Sequence, residues 1–112
     1  MKEHTYYVYI VTNPSKKSLY IGVTNNLVER LDEHYQNRGS DATWAGKYYC
    51  YKLIYYETFR YIDKAIEREK QLKGWSRIKK ETLINKTNPR WNFLNDQFRR
   101  DPSVDPRSFR IE

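Results

Sequence analysis

Apolar and polar positions alternate at the start of the chain and change to a helical spacing soon afterwards. Thr5 to Val11 is rich in Tyr, Val and Ile and reads as a strand. Asn13-Pro14-Ser15-Lys16 is turn chemistry, with Pro presetting φ and Asn and Ser able to bond nearby backbone. Ser18 to Val23 reads as the return strand. With residues 13–16 as the loop, Tyr9 faces Tyr20 and Tyr7 faces Gly22, so Tyr9 and Tyr20 project from one sheet face. A glycine inside a strand marks close approach of another group. Leu27, Leu31 and Tyr35 then recur at i, i+4 and i+8, behind Asn26 and Glu29 in the order of a capping pair. Arg30 and His34 repeat the i, i+4 spacing about one residue step around, at the border of that apolar stripe.

Arg38 to Lys47, with Gly39, Ser40, Asp41 and Gly46, reads as a loop. Tyr48 to Thr58 reads as a third strand, with Tyr51, Leu53 and Tyr55 on one face and Lys52, Ile54 and Tyr56 on the other. Ile62 to Lys73 is helical, with Asp63 as cap and Gly74 as stop. Ser76 caps a further helix to about Asn85, which Asn88-Pro89 ends. The pattern shows no repeat and no linker. It predicts one domain over residues 1–95 and a tail over 96–112, extended or frayed from Asp101 onward.

Composition narrows the class. A chain of 112 residues with 38% apolar content supports one modest core, and 3 Trp, 11 Tyr and 4 Phe let few residues bury much area. No apolar run is long enough to span a bilayer and no secretory leader precedes the first strand, so a cytoplasmic protein without a membrane partner is expected. The lone Cys50 makes neither an internal disulfide nor a metal set, and reads as a buried thiol. The formal charge is +7, and residues 64–86 hold eight Lys/Arg against three Glu. A basic surface interleaved with aromatics suits a polyanion such as nucleic acid; a solvated helix face accounts for the charge equally well.

Ala65, Glu69 and Leu72 share one side of the third helix, which sets Glu69 on its apolar face, whereas Glu67 lies opposite with Lys64, Lys70 and Gln71. A carboxylate among apolar groups must be paired or metal-bound. An ion pair with a neighbouring Lys or Arg meets that need as well as a metal does. Likewise, two tyrosines on one strand face are ordinarily core. Trp44, Trp75 and Trp91 read as packing residues, with base stacking by Trp44 as the other use of an indole on a loop.

Taken together, Tyr7-Val8-Tyr9, Tyr20-Ile21-Gly22, Arg30, His34 and Glu69 resemble the GIY-YIG nuclease superfamily, in particular its small stand-alone bacterial members and the N-terminal domain of excinuclease C. The likeness runs from Tyr7 to Leu94, and departs from the pattern where Tyr7-Val8 stands in place of Gly-Ile. It implies an α+β fold, a three-stranded antiparallel sheet flanked by helices. It also implies metal-dependent endonuclease activity on DNA in repair or recombination. A nucleic-acid-binding module on the same fold is the alternative. By the same resemblance Tyr9 activates or positions the attacking water with Tyr20 beside it, Arg30 holds the scissile phosphate, and His34 positions the nucleophile or assists proton transfer. Glu69 is the single protein ligand to Mg²⁺, with Mn²⁺ as the substitute, and Asn92 helps order the site.

Physical chemistry is consistent with these roles. A planar guanidinium bonds two phosphate oxygens at once. Mg²⁺ takes one or two carboxylates and keeps waters. Tyrosine, with an unperturbed pKa of about 10, needs nearby positive charge to ionise, and Arg30, His34 and the metal are the expected sources. Lys47, Lys52 and Lys73 are candidate nucleic-acid contacts, and surface solubility is an equal reading for Lys47 and Lys52.

Overall fold

The computed structural model describes residues 5–99; the expectations for residues 1–4 and for the tail from Asp101 onward lie outside them. The order is β1 (Tyr6–Thr12), β2 (Leu19–Thr24), α1 (Leu27–Gln36), α2 (Trp44–Lys47), β3 (Lys52–Phe59), α3 (Ile62–Lys73), α4 (Arg77–Thr87) and a 3₁₀ turn at Asn95–Phe98. The sheet is antiparallel with order β2-β1-β3, so β1 is central. Helices cover both faces, as the α+β reading expected. One face packs Val8, Ile10, Ile21, Ile54 and Tyr55 against Ala65 and Leu72 of α3 and Ile84 of α4. The other packs Tyr9, Val11 and Leu53 against Leu27 and Leu31 of α1, Ala45 of α2 and Cys50. Leu27, Leu53, Leu72 and Ile84 are fully buried, each contributing roughly 1.5–3 kcal/mol of transfer free energy.

The hairpin register differs from the expected one by two residues. Tyr9 faces Gly22, Val11 faces Tyr20, and Tyr7 faces Thr24, so the loop takes residues 13–18 rather than 13–16. Asn13 is the cause. Its carbonyl accepts from Lys16 N (2.8 Å) and its Oδ1 from Lys17 N and Ser18 N (2.9 Å each), while Thr12 Oγ1 donates to Ser18 O (2.7 Å). Those bonds satisfy a longer turn, with Lys16 left-handed at φ 63°. A two-residue slip preserves facing, so Tyr9 and Tyr20 still share the α1 side of the sheet.

The expected face pattern of the third strand is corrected by a β-bulge. Ile10 pairs with Tyr55 and Val11 with Leu53, leaving Ile54 without a partner on β1. Ile54 and Tyr55 therefore both face α3 and α4, while Leu53 and Tyr56 face the α1 side. Asn88, 6% exposed, donates from Nδ2 to the Ile54 carbonyl (2.9 Å). The outer edge of β3 is covered in turn by Leu94 N to Leu53 O (2.7 Å) and by the Asn95 side chain, which bridges Leu53 N and Tyr51 O.

Two local readings also change. The segment expected as a loop before β3 contains α2, capped by Thr43 Oγ1 accepting from Gly46 N (2.9 Å), which delays the strand to Lys52. A Cβ on Gly46 would lie 2.6 Å from Asn37 O, so only glycine lets α2 pack against the end of α1. Helix α3 is capped at Tyr61 without a side-chain bond, and Asp63 sits in its first turn, where its charge favours the helix dipole. Asn26, Gly74 and Ser76 hold the cap positions expected of them, and Cys50 is buried.

Candidate active site

Tyr9 projects from the central strand and lies across its edge neighbour β2. Gly22 makes this possible: a Cβ there would be 2.4 Å from the Tyr9 hydroxyl and 2.5 Å from Cζ. The ring is 1% exposed, yet its oxygen is brought towards the β2 edge of the sheet, where it meets His34 Nε2 at 2.9 Å. Tyr20, on β2 and the same face, packs edge-on against the same imidazole with ring centroids 5.5 Å apart. The i, i+4 spacing on α1 thus sets His34 over both tyrosines and leaves Arg30 one turn earlier, exposed and paired with Glu33 at 3.3 Å.

Burial and charge set the protonation states. Desolvation, then the neighbouring Tyr20, push the Tyr9 phenol well above the usual tyrosine range; Arg30 pulls it down, and Glu69 and Glu33 add to the rise. Desolvation, then Arg30, lower the His34 imidazole to about 4. His34 is therefore neutral at pH 7 and cannot supply positive charge to ionise Tyr9, contrary to the expectation from sequence. Both shifts hold the two rings neutral, so the 2.9 Å contact is a hydrogen bond between a neutral phenol and a neutral imidazole that fixes the position of the Tyr9 oxygen.

Glu69 reaches the same place from α3, on the opposite face of the sheet. Its side chain is 15% exposed, its charge acts on the Tyr9 phenol, and its Oε2 binds Lys73 Nζ at 2.9 Å. The ion pair and the proximity to the tyrosines therefore coexist. Glu67 is a surface charge, 71% exposed and 3.9 Å from Lys64.

Tyr9, Tyr20, Arg30, His34 and Glu69 are thus gathered at one edge of the sheet. Asn92 is not among them: it is exposed beyond α4, and its backbone N and O bond the Asn88 side chain, which binds β3 at the other edge. The buried amide is Asn88, whose Asn-Pro context reads in sequence only as a helix stop. Lys52 lies over the Tyr51 and Phe93 rings at the start of β3, and Lys47 over Tyr48 at the end of α2. Lys73 lies at the site, 6.0 Å from the Tyr20 ring centroid. Trp75 and Trp91 are partly buried, as packing residues are, but Trp44 is 49% exposed beside Tyr20.

The sequence profile of the GIY-YIG catalytic domain matches residues 5–89. The chain belongs to the GIY-YIG family. It is 34% identical over 84 residues to a UPF0213 protein of Bacillus pumilus, covering 75% of this chain and 83% of that one. It is 38% identical over 79 residues to a UPF0213 protein of Clostridium perfringens, covering 70% and 82%. Among solved structures it is similar to the solution NMR structure of the UPF0213 protein BH0048 from Bacillus halodurans, at TM-score 0.50 and 26% identity, covering 78% of this chain and 89% of that one. The match places the chain in a nuclease family and implies a nucleic-acid substrate. The matched residues of this GIY-YIG chain include the five gathered side chains and end before Asn92.

The donor set fits a divalent metal of modest protein ligation. Among the described residues no group of three His, Cys, Asp or Glu side chains comes together as a metal site. Glu69 offers one carboxylate whose charge is felt at the Tyr9 phenol, which suits a hard cation that keeps most of its water. Among the described residues no helix is long and apolar enough to cross a membrane.

Proposed function

We propose that this GIY-YIG chain is a metal-dependent endonuclease that hydrolyses DNA phosphodiester bonds, serving repair or recombination in the cytoplasm. The observation that supports this most is the part-buried Tyr9–His34 pair at 2.9 Å with the charges of Arg30 and Glu69 both acting on the phenol. Arg30 turns from Glu33 to the scissile phosphate and offsets the charge that builds on its oxygens. Tyr9 takes a proton from the attacking water as its own passes to His34 Nε2, so no free phenolate forms. Tyr20 borders the water's position, and Asn92 supports only through its backbone bonds to Asn88. Glu69 would hold Mg²⁺, or Mn²⁺ in its place, which when bound polarises a phosphoryl oxygen as a Lewis acid.

The Lys73–Glu69 pair at 2.9 Å favours a second reading, a binding module without cleavage, because the one carboxylate of the site is already matched. Incubation with supercoiled, single-stranded and branched DNA, in Mg²⁺ or chelator, separates the two. The nuclease reading expects metal-dependent cleavage that Glu69→Ala and Arg30→Ala each abolish. Binding in chelator without cleavage in Mg²⁺ would leave the second reading standing.

A further inference from the structure

The geometry points to a base-stacking subsite at Trp44, which holds one unpaired nucleobase of the nucleic acid beside the cleavage site. It rests on the reading of that site as one that takes nucleic acid.

Trp44 opens α2 and is 49% exposed, although the next two residues, Ala45 and Gly46, are buried. The short helix thus anchors itself through its small residues and presents its indole outward. The indole is near-parallel to Tyr20, at 26° with centroids 6.2 Å apart, and tilted against Tyr48 at 4.7 Å. Tyr20 and Trp44 line a cleft of about 200 Å³ with Leu19, Ile21, Lys73 and Lys80. An open cleft of mixed polar and apolar lining, with a half-exposed indole and two lysines, matches a nucleotide: a planar base on the aromatic face and phosphate near the ammonium groups. An apolar ligand would make no use of the Lys80 ammonium group, and a paired duplex would keep its base faces stacked and away from Trp44. Tyr20 belongs both to this cleft and to the Tyr9–His34 cluster, so the stacked base lies next to the proposed cleavage site.

The test measures binding in chelator, where cleavage plays no part. The probes are a labelled single-stranded DNA 12-mer and a blunt duplex of the same sequence. Trp44→Ala is expected to weaken single-strand binding about 5- to 100-fold and duplex binding less than about 2-fold. Trp44→Phe retains most of the affinity but loses the quench of indole fluorescence that the single strand produces in the wild type. Lys80→Ala lowers the salt-dependence slope by about one. Trp44→Ala that keeps its circular dichroism and binds the single strand like wild type would overturn the subsite. Equal losses for single strand and duplex would overturn it too, as would an unchanged quench in Trp44→Phe. A wild type that shows these effects yet never cuts DNA in Mg²⁺ sinks the nuclease reading alone. One that cuts while Trp44→Ala binds unchanged sinks the subsite alone.

Discussion

The phenol of Tyr9 lies across Gly22, so closely that a methyl group at residue 22 would sit 2.4 Å from the hydroxyl and 2.8 Å from Cε1. Tyr9 is 1% exposed and belongs to a close-packed core, so it can yield only by displacing its neighbours. Gly22→Ala should therefore lower stability by about 1–3 kcal/mol in urea unfolding, and should lower cleavage further by moving the phenol from His34. Gly74→Ala is the internal comparison. Its nearest neighbour would be 3.6 Å away and its φ is −83°, so it should be neutral or slightly stabilising.

Tyr9→Phe removes only the hydroxyl that meets His34 Nε2. Water reaches the partly exposed imidazole, so stability should fall by no more than about 1.5 kcal/mol. If the pair relays a proton, cleavage should fall about 10²- to 10⁴-fold. The double variant Tyr9→Phe/His34→Gln should then be no slower than the slower single one, since members of one relay are lost together. Multiplicative losses in single-turnover assays would mean that the two side chains act separately.

The imidazole of His34 carries a pH signature. Burial first, and Arg30 second, lower it from 6.5 to about 4. Folding therefore favours the neutral ring. The stability this contributes is fully present above pH ~6.5 and is lost as pH falls towards 4. The shift sets an upper limit of about 3 kcal/mol, and roughly half of that is expected after allowance for the solvent that reaches the ring. Urea midpoints at pH 7 and 4.5 should fall more for wild type than for His34→Gln. The comparison is needed because Glu57 is held below the usual carboxylate range by its bonds to Arg68 and Tyr55, against its own desolvation, and is lost in the same direction. NMR titration of the imidazole should move upward in Arg30→Gln; an unmoved midpoint would assign the whole shift to burial.

The pattern of apolar residues was enough to place three strands, the long helices and most of their caps, because each relies on local spacing and side-chain type. It also set Glu69 and Glu67 on opposite sides of α3. The hairpin register was not legible, since it depends on three backbone N–H groups converging on Asn13. That error left the site readable because a slip of two residues keeps Tyr9 and Tyr20 on one face. The bulge at Ile54 was hidden for a related reason: its compensating donor, Asn88, lies 34 residues away in sequence. Trp44 read as packing because nothing in its neighbours states that Ala45 and Gly46, rather than the indole, would be buried. The neutrality of His34 follows from three-dimensional burial and has no sequence signal.

Lys73 holds Glu69 Oε2 at 2.9 Å and also lines the cleft beside Tyr20 and Trp44. Its substitution should therefore have opposite effects on two ligands. Lys73→Met removes the cation that competes with a metal for the carboxylate. The Lys73 side chain is 49% exposed, so the pair is partly screened and contributes about 0.2–1 kcal/mol. Mn²⁺ affinity, read from electron paramagnetic resonance of the free ion, should accordingly rise up to about 5-fold. Affinity for single-stranded DNA in chelator should fall, with a salt slope smaller by about one. Glu69→Gln should abolish the gain in Mn²⁺ affinity while leaving the DNA effect of Lys73→Met in place. If Lys73→Met instead weakens Mn²⁺ binding, the ammonium group organises the carboxylate rather than competing for it, and the metal site assigned to Glu69 would have to be redrawn.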